Sequence, residues 1–318
     1  MYKIGIDLGG TNIAAAVVNG EHKILGRSKI KTNLPRPQED VLADLLEAAR
    51  LAVQDAGISM DDIEYVGVGS PGTVNTKTGV VEYANNLAFR QADIAGAVKA
   101  GLGTLCYVGN DANAAALGEL VAGCGCGVDN FLALTLGTGL GGGAIVNGTM
   151  LTGFNYAGAE LGHMMIIAGG EHCTCGLDGC IEAYASATAL IRQTKRAMEA
   201  DKASAMWALC GGDIEKAGGR TAFDAMRAGD KTATEVVGRY IEYLALGIVN
   251  FINIFQPEIL CIGGGVSNEK PQYLLEPLRE RVAKSTYGGG TVACTKIVTA
   301  TLGNDAGIIG AAALGDFS

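Results

Sequence analysis

Apolar positions along the chain follow two alternating rhythms. Short β-type runs cover residues 3–7, 13–19 and 22–31, after which the period turns helical over 39–55, placing Val41, Leu42, Leu45, Leu46, Ala49 and Val53 on one face. A strand over 65–68, a loop rich in Asn, Gly and Thr, and a short strand ending at Val108 follow, then an alanine-rich helix over 111–120. The second half opens like the first, with an apolar run at 131–136, a glycine turn and Ala144-Ile145-Val146. Beyond residue 182 the chain turns helical. The segment 232–255 is long and amphipathic, repeating Val236, Tyr240, Tyr243, Leu244, Ile248 and Ile252 at helical spacing, with Pro257 as a stop. A strand at 259–262 and a small apolar helix over about 305–314, expected to pack back onto the first domain, complete the pattern. Strands alternating with helices in two halves predict an α/β fold.

Glycine sharpens this reading. Its clusters at Asp7-Leu8-Gly9-Gly10-Thr11, 67–72, 137–143 and 263–265 each close an apolar strand. Strand ends that dissolve into glycine let backbone N–H groups approach phosphate oxygens. Two of them align without a gap: residues 6–11 followed by 16–18, and residues 134–139 followed by 144–146. A repeat this wide predicts two similar domains whose glycine hairpins grip a polyphosphate from both sides.

The 318 residues suffice for two cores, and 48% hydrophobic against 18% charged residues describes a well-buried globular chain. A net charge of -9 disfavours a nucleic-acid surface, which needs clustered Lys and Arg. The start Met1-Tyr2-Lys3 carries no secretory pattern and no long apolar span follows, so no membrane partner is expected and the nine cysteines are expected to be reduced, in the cytoplasm. Cys124 and Cys126, with no histidine nearby in sequence, read as structural.

The densest chemistry lies between residues 158 and 182. Glu160-Leu161-Gly162-His163 precedes Cys173-Thr174-Cys175, Cys180 and Glu182, with glycines at 176 and 179. Three thiols and an imidazole are the set that Zn²⁺ prefers in a closed tetrahedral site, and glycine takes the positive φ that a tight metal loop requires. His163, Cys173, Cys175 and Cys180 are therefore expected to hold a structural zinc that fixes Glu160 and Glu182 for other work. Asp111, after a strand and at the mouth of a helix, is either a helix cap or, given the phosphate-type loops, the base that takes a proton from an acceptor alcohol.

These segments together resemble the ROK sugar kinases over nearly the whole chain, from Ile4 to about Leu314. The resemblance implies two ribonuclease-H-like domains of the actin and hexokinase type around a central cleft, usually in a homodimer. The expected division is 1–115 plus about 304–318, and 116–303. It implies Asp111 as catalytic base, and sugar contacts from Gly72, Asn85, Asn86, Asn110, Glu160, His163 and Glu182. It further implies nucleotide contacts from Asp7, Gly9, Gly10, Thr11, Asn12, Thr138, Gly139, Gly264 and Gly265. Mg²⁺ would arrive with ATP, and His163 would turn one ring nitrogen to zinc and the other to sugar. The family's repressor branch carries a DNA-binding segment ahead of this fold, for which a first strand at Lys3 is expected to leave no room. The cysteine loop resembles the form found in kinases of glucose, allose and N-acylmannosamine rather than the fructokinase form. A glucokinase-like activity is expected, with another hexose, an N-acylhexosamine such as N-acetylmannosamine, or a non-catalytic sugar sensor as alternatives.

Overall fold

A computed structural model describes residues 1–289, 291–292 and 295–317. The first part runs β1 (Tyr2–Leu8), β2 (Asn12–Val18), β3 (Ile24–Lys31), α1 (Gln38–Ala56), β4 (Ile63–Ser70), β5 (Thr73–Asn75), β6 (Val80–Ala84), β7 (Phe89–Asp93), α2 (Ile94–Leu102), β8 (Leu105–Asn110) and α3 (Asp111–Ala122). Then come β9 (Phe131–Leu136), β10 (Leu140–Val146), β11 (Thr149–Met150), α4 (Glu182–Ala185), α5 (Ala187–Ala200), α6 (Met206–Leu209), α7 (Thr221–Arg227) and α8 (Lys231–Phe255). The chain ends with β12 (Ile259–Gly263), α9 (Leu275–Ser285), β13 (Lys296–Thr299) and α10 (Asp305–Ala313).

One five-stranded sheet has the order β3-β2-β1-β4-β8, its first three strands antiparallel and β4 and β8 parallel to β1. A second has the order β11-β10-β9-β12-β13. Both sheets set a hairpin-linked triplet beside two later strands, so the repeat visible at the glycine turns is a repeat of sheet topology. The pattern of strands and helices predicts the α/β class, and the ribonuclease-H-like topology is the one the family resemblance implies. A small antiparallel sheet, β5-β6-β7, and α2 occupy residues 73–102, where the sequence reads as loop. Strands of three to five residues bounded by turn formers leave too short a pattern for periodicity to register.

The chain divides into two compact units, residues 1–133, 143–159 and 301–318 in one, and 134–142 and 160–300 in the other. The expected boundary after residue 115 falls inside α3, which lies whole in the first unit. In that unit the core joins Ile4, Ile6 and Leu8 of β1 to Val41, Leu45, Ala48 and Ala52 of α1. The opposite sheet face carries α10 at backbone contact: a Cβ at Gly67 would stand 1.7 Å from the Ala311 carbonyl oxygen. Helix α10 also meets α3 so closely that a Cβ at Gly310 would lie 1.6 Å from the Ala114 carbonyl oxygen. Only small residues permit this approach, and it fixes where α3 begins. In the second unit α8 buries Val236, Tyr240, Leu244, Ile248 and Ile252 along one stripe, is capped by Asp230, and ends at a left-handed Gln256 before Pro257. Among the described residues no helix is long and apolar enough to cross a membrane.

Candidate active site and metal centre

In the first unit the residues at the ends of β1 and β8 come together. Asn110 caps α3: its Oδ1 accepts from the N–H groups of Ala112 at 2.9 Å and Asn113 at 3.2 Å, while its Nδ2 donates to the Gly72 carbonyl at 3.3 Å. The capping duty therefore falls on Asn110. Asp111 Oδ1 accepts from the N–H of its neighbour Ala112 at 2.8 Å. Burial pushes its carboxyl above the ordinary aspartate range, and the backbone N–H of Ala112 only partly opposes this. Asp7, at the end of β1, is pushed up to about 6, first by burial and then by the negative charge of Asp111. The two carboxylates thus lie near enough in a poorly solvated corner for the charge of Asp111 to act on Asp7, an arrangement that suits proton acceptance and attracts a cation.

The first glycine turn is closed by Gly9 N–H donating to the Asn12 carbonyl at 2.9 Å. Buried Thr32 pins it from below, its hydroxyl donating to the Gly9 carbonyl at 2.7 Å. Asp7, Gly9, Gly10, Thr11 and Asn12 line one cavity of about 660 Å³ with Asn304 and Asp305 at the start of α10. Backbone N–H groups and a helix start on one cavity wall can receive phosphate. Gly10 approaches the Asn86 carbonyl, and Asn85 accepts from the Tyr83 hydroxyl at 3.3 Å. Both asparagines lie exposed in a turn after β6.

In the second unit the donor atoms of His163, Cys173, Cys175 and Cys180 all lie within 4.8 Å of one another. Cys175 and Cys180 sulfurs are 3.6 Å apart, as are the Cys173 sulfur and His163 Nδ1. A tetrahedron with bonds of about 2.1–2.3 Å has edges of about 3.4–3.8 Å, and the two 3.6 Å separations fall within that range. The fold of the loop explains the gathering. Cys180 bridges Met165, His172 bridges Asp178, and Gly176 and Gly179 take φ of 89° and 91°. A side chain at Gly179 would also strike the Ile167 carbonyl. Burial, then the neighbouring thiols of Cys175 and Cys173, push Cys180 up to about 12. A divalent cation would offset that crowding by binding thiolates. His163 presents Nδ1 to the sulfurs, which leaves Nε2 on the far side of the ring. Glu160 opens the turn that carries His163 and is exposed.

Glu182, the first residue of α4, is tied at both oxygens: Oε2 accepts from Leu140 N–H at 2.9 Å, and Oε1 from the Thr174 hydroxyl at 2.9 Å. Thr138 and Gly139 lie in the turn between β9 and β10, which Gly137 N–H closes on the Gly139 carbonyl at 3.0 Å. Gly264, at φ 89°, passes against Leu136 at the end of β9, and Gly265 follows in an exposed turn. Thr32, Thr174 and the pairing of Asp7 with Asp111 escape sequence reading. Their roles come from non-local contacts that carry no spacing signal.

Each unit carries a glycine turn at a strand end; the first also holds the partly buried carboxylates of Asp7 and Asp111, and the second the thiol-imidazole cluster. Residues 3–316 match the ROK family, and the chain belongs to it. A glucokinase of Thermotoga maritima is 38% identical over 312 residues, covering 98% of this chain and 96% of that protein. A glucokinase of Streptomyces coelicolor is 36% identical over 314 residues, covering 98% and 96%. The crystal structure of a ROK family glucokinase from Streptomyces griseus, in complex with glucose and AMPPNP, superposes with a TM-score of 0.81 at 35% identity, covering 99% of each chain.

Proposed function

We propose that this chain is a glucokinase, transferring the γ-phosphoryl group of ATP to the 6-hydroxyl of glucose to give glucose 6-phosphate and ADP. The relatives acting on glucose span nearly its whole length. The observation that carries the chemistry is Asp111: a largely buried carboxylate, relieved of capping by Asn110, at the end of β8. An alcohol is too weak an acid to lose its proton unaided, so a fixed carboxylate takes the O6 proton as O6 bonds to phosphorus and the bond to ADP breaks. The proton ends on Asp111.

Gly72, Asn85, Asn86 and Asn110, with Glu160, His163 and Glu182, are assigned to the sugar hydroxyls. The turns holding Asp7, Gly9, Gly10, Thr11 and Asn12, Thr138 and Gly139, and Gly264 and Gly265 are assigned to the nucleotide. Mg²⁺ enters with ATP, held mainly by phosphate and water. His163, Cys173, Cys175 and Cys180 would hold zinc, whose contribution is to stabilise the loop. A homodimer in the cytoplasm, feeding glycolysis, completes the reading.

The test is ADP release across a panel of hexoses and N-acylated hexosamines, with the product identified by ³¹P NMR. Glucose is expected to give the highest kcat/KM and a 6-phosphate. Absence of glucose-dependent ADP release would reject the proposal.

A further inference from the structure

The second glycine turn and the cysteine loop are built onto one carboxylate. Glu182 Oε2 receives the Leu140 N–H at 2.9 Å, and a Cβ added at Gly139 would stand 2.4 Å from that same oxygen. Its other oxygen receives the Thr174 hydroxyl at 2.9 Å. The turn is held elsewhere too, by Ala187 N–H donating to the Gly137 carbonyl at 2.9 Å. Gly162, next to His163, lies against the Leu140 carbonyl. Leu140 is thus touched through its N–H by Glu182 and through its carbonyl by the turn that delivers His163. A carboxylate with both oxygens occupied transmits displacement between its partners, because charge-assisted bonds are short and costly to break.

We infer that Thr174 and Glu182 form a strut that sets the second nucleotide turn from the cysteine loop, making Thr174 a positioning residue for the phosphoryl donor. Order in the metal loop then governs donor affinity, in addition to any effect on sugar. This rests on the reading of residues 137–140 as a nucleotide turn and of the cysteine loop as a zinc site. A threonine between two metal ligands has no reason to influence nucleotide binding unless the contact through Glu182 carries force.

The experiment compares wild-type protein, Thr174→Val and Thr174→Ser by calorimetric titration with AMPPNP and, separately, with glucose, alongside zinc content and KM for each substrate. Valine keeps the shape and removes the hydroxyl; serine restores it. With one zinc per chain in all three, Thr174→Val is expected to weaken AMPPNP binding roughly fivefold and to raise KM for ATP more than KM for glucose, with Thr174→Ser returning both toward wild type. Stripping zinc from wild type with a chelator is expected to weaken AMPPNP binding, and to weaken it less in Thr174→Val. Unchanged AMPPNP affinity in Thr174→Val, with wild type binding normally, would overturn the strut while leaving the kinase reading intact. Failure of wild type to bind AMPPNP at all would overturn both.

Discussion

At the scale of single residues, the decisive contrast is between Asn110 and Asp111. Either could cap α3, and the helix takes Asn110, whose amide also reaches Gly72. Asp111 then carries a burial cost that stability alone would not favour. Because its pKa is raised, kcat should fall as pH drops through a value above the ordinary aspartate range, and the acidic limb of the pH-rate profile should lie correspondingly high; an acidic limb at about 4 or below would contradict this. Asp7 gives a stability counterpart. Its folded pKa of about 6 exceeds its reference value of 3.8, so the folded chain binds more protons between these values and loses stability as pH rises across that window. Asp7→Asn should therefore raise the unfolding free energy at pH 7.5 by an amount of order 1–2 kcal/mol, and change it little at pH 3.5, while impairing use of Mg²⁺-ATP. Thermal melts at the two pH values check it. The presence of Asp7 at a glycine turn is legible in the sequence; its neighbour is not, because 104 positions separate it from Asp111 and nothing in spacing records that β1 and β8 flank β4.

Among elements, α3 and α10 set the geometry. Their backbones touch at Ala114 and Gly310, and Glu119 on α3 fixes the entry to α10 through Thr301 and Leu302 N–H bonds of 2.9 and 2.8 Å. Gly310→Ala should force the helices apart, costing about 3 kcal/mol and lowering kcat as Asp111 shifts; chemical denaturation and kinetics measure both. The cysteine loop offers a second test. Metal analysis should find one zinc per chain, and Cys175→Ser should lose most of it, together with melting temperature and glucose affinity. The gathering of His163, Cys173, Cys175 and Cys180 is legible in the sequence because residue type, spacing and Gly176 and Gly179 all express local geometry. The β5-β6-β7 sheet is not, since its strands are brief and Gly72, Gly79 and Ala88 turn the chain at positive φ between them. The link from Thr174 through Glu182 to Leu140 is equally hidden: the sequence marks Glu182, but nothing in spacing marks either of its partners.

For the whole molecule, the repeated glycine turn correctly announces two α/β units of similar sheet order. Their boundary was less legible, because it cuts through β9 and β10, which any periodicity reads as unbroken strands. Sedimentation velocity should show a homodimer, and a monomer at micromolar concentration would remove that part of the reading. The proposed phosphoryl transfer depends on proton removal by Asp111. The most direct measurement is single-turnover phosphoryl transfer by Asp111→Asn with saturating ATP, Mg²⁺ and glucose, paired with glucose binding by calorimetry. Glucose affinity within about threefold of wild type, with the transfer rate down by two to four orders of magnitude, is the expected result. A near-normal transfer rate with normal binding would contradict the assignment.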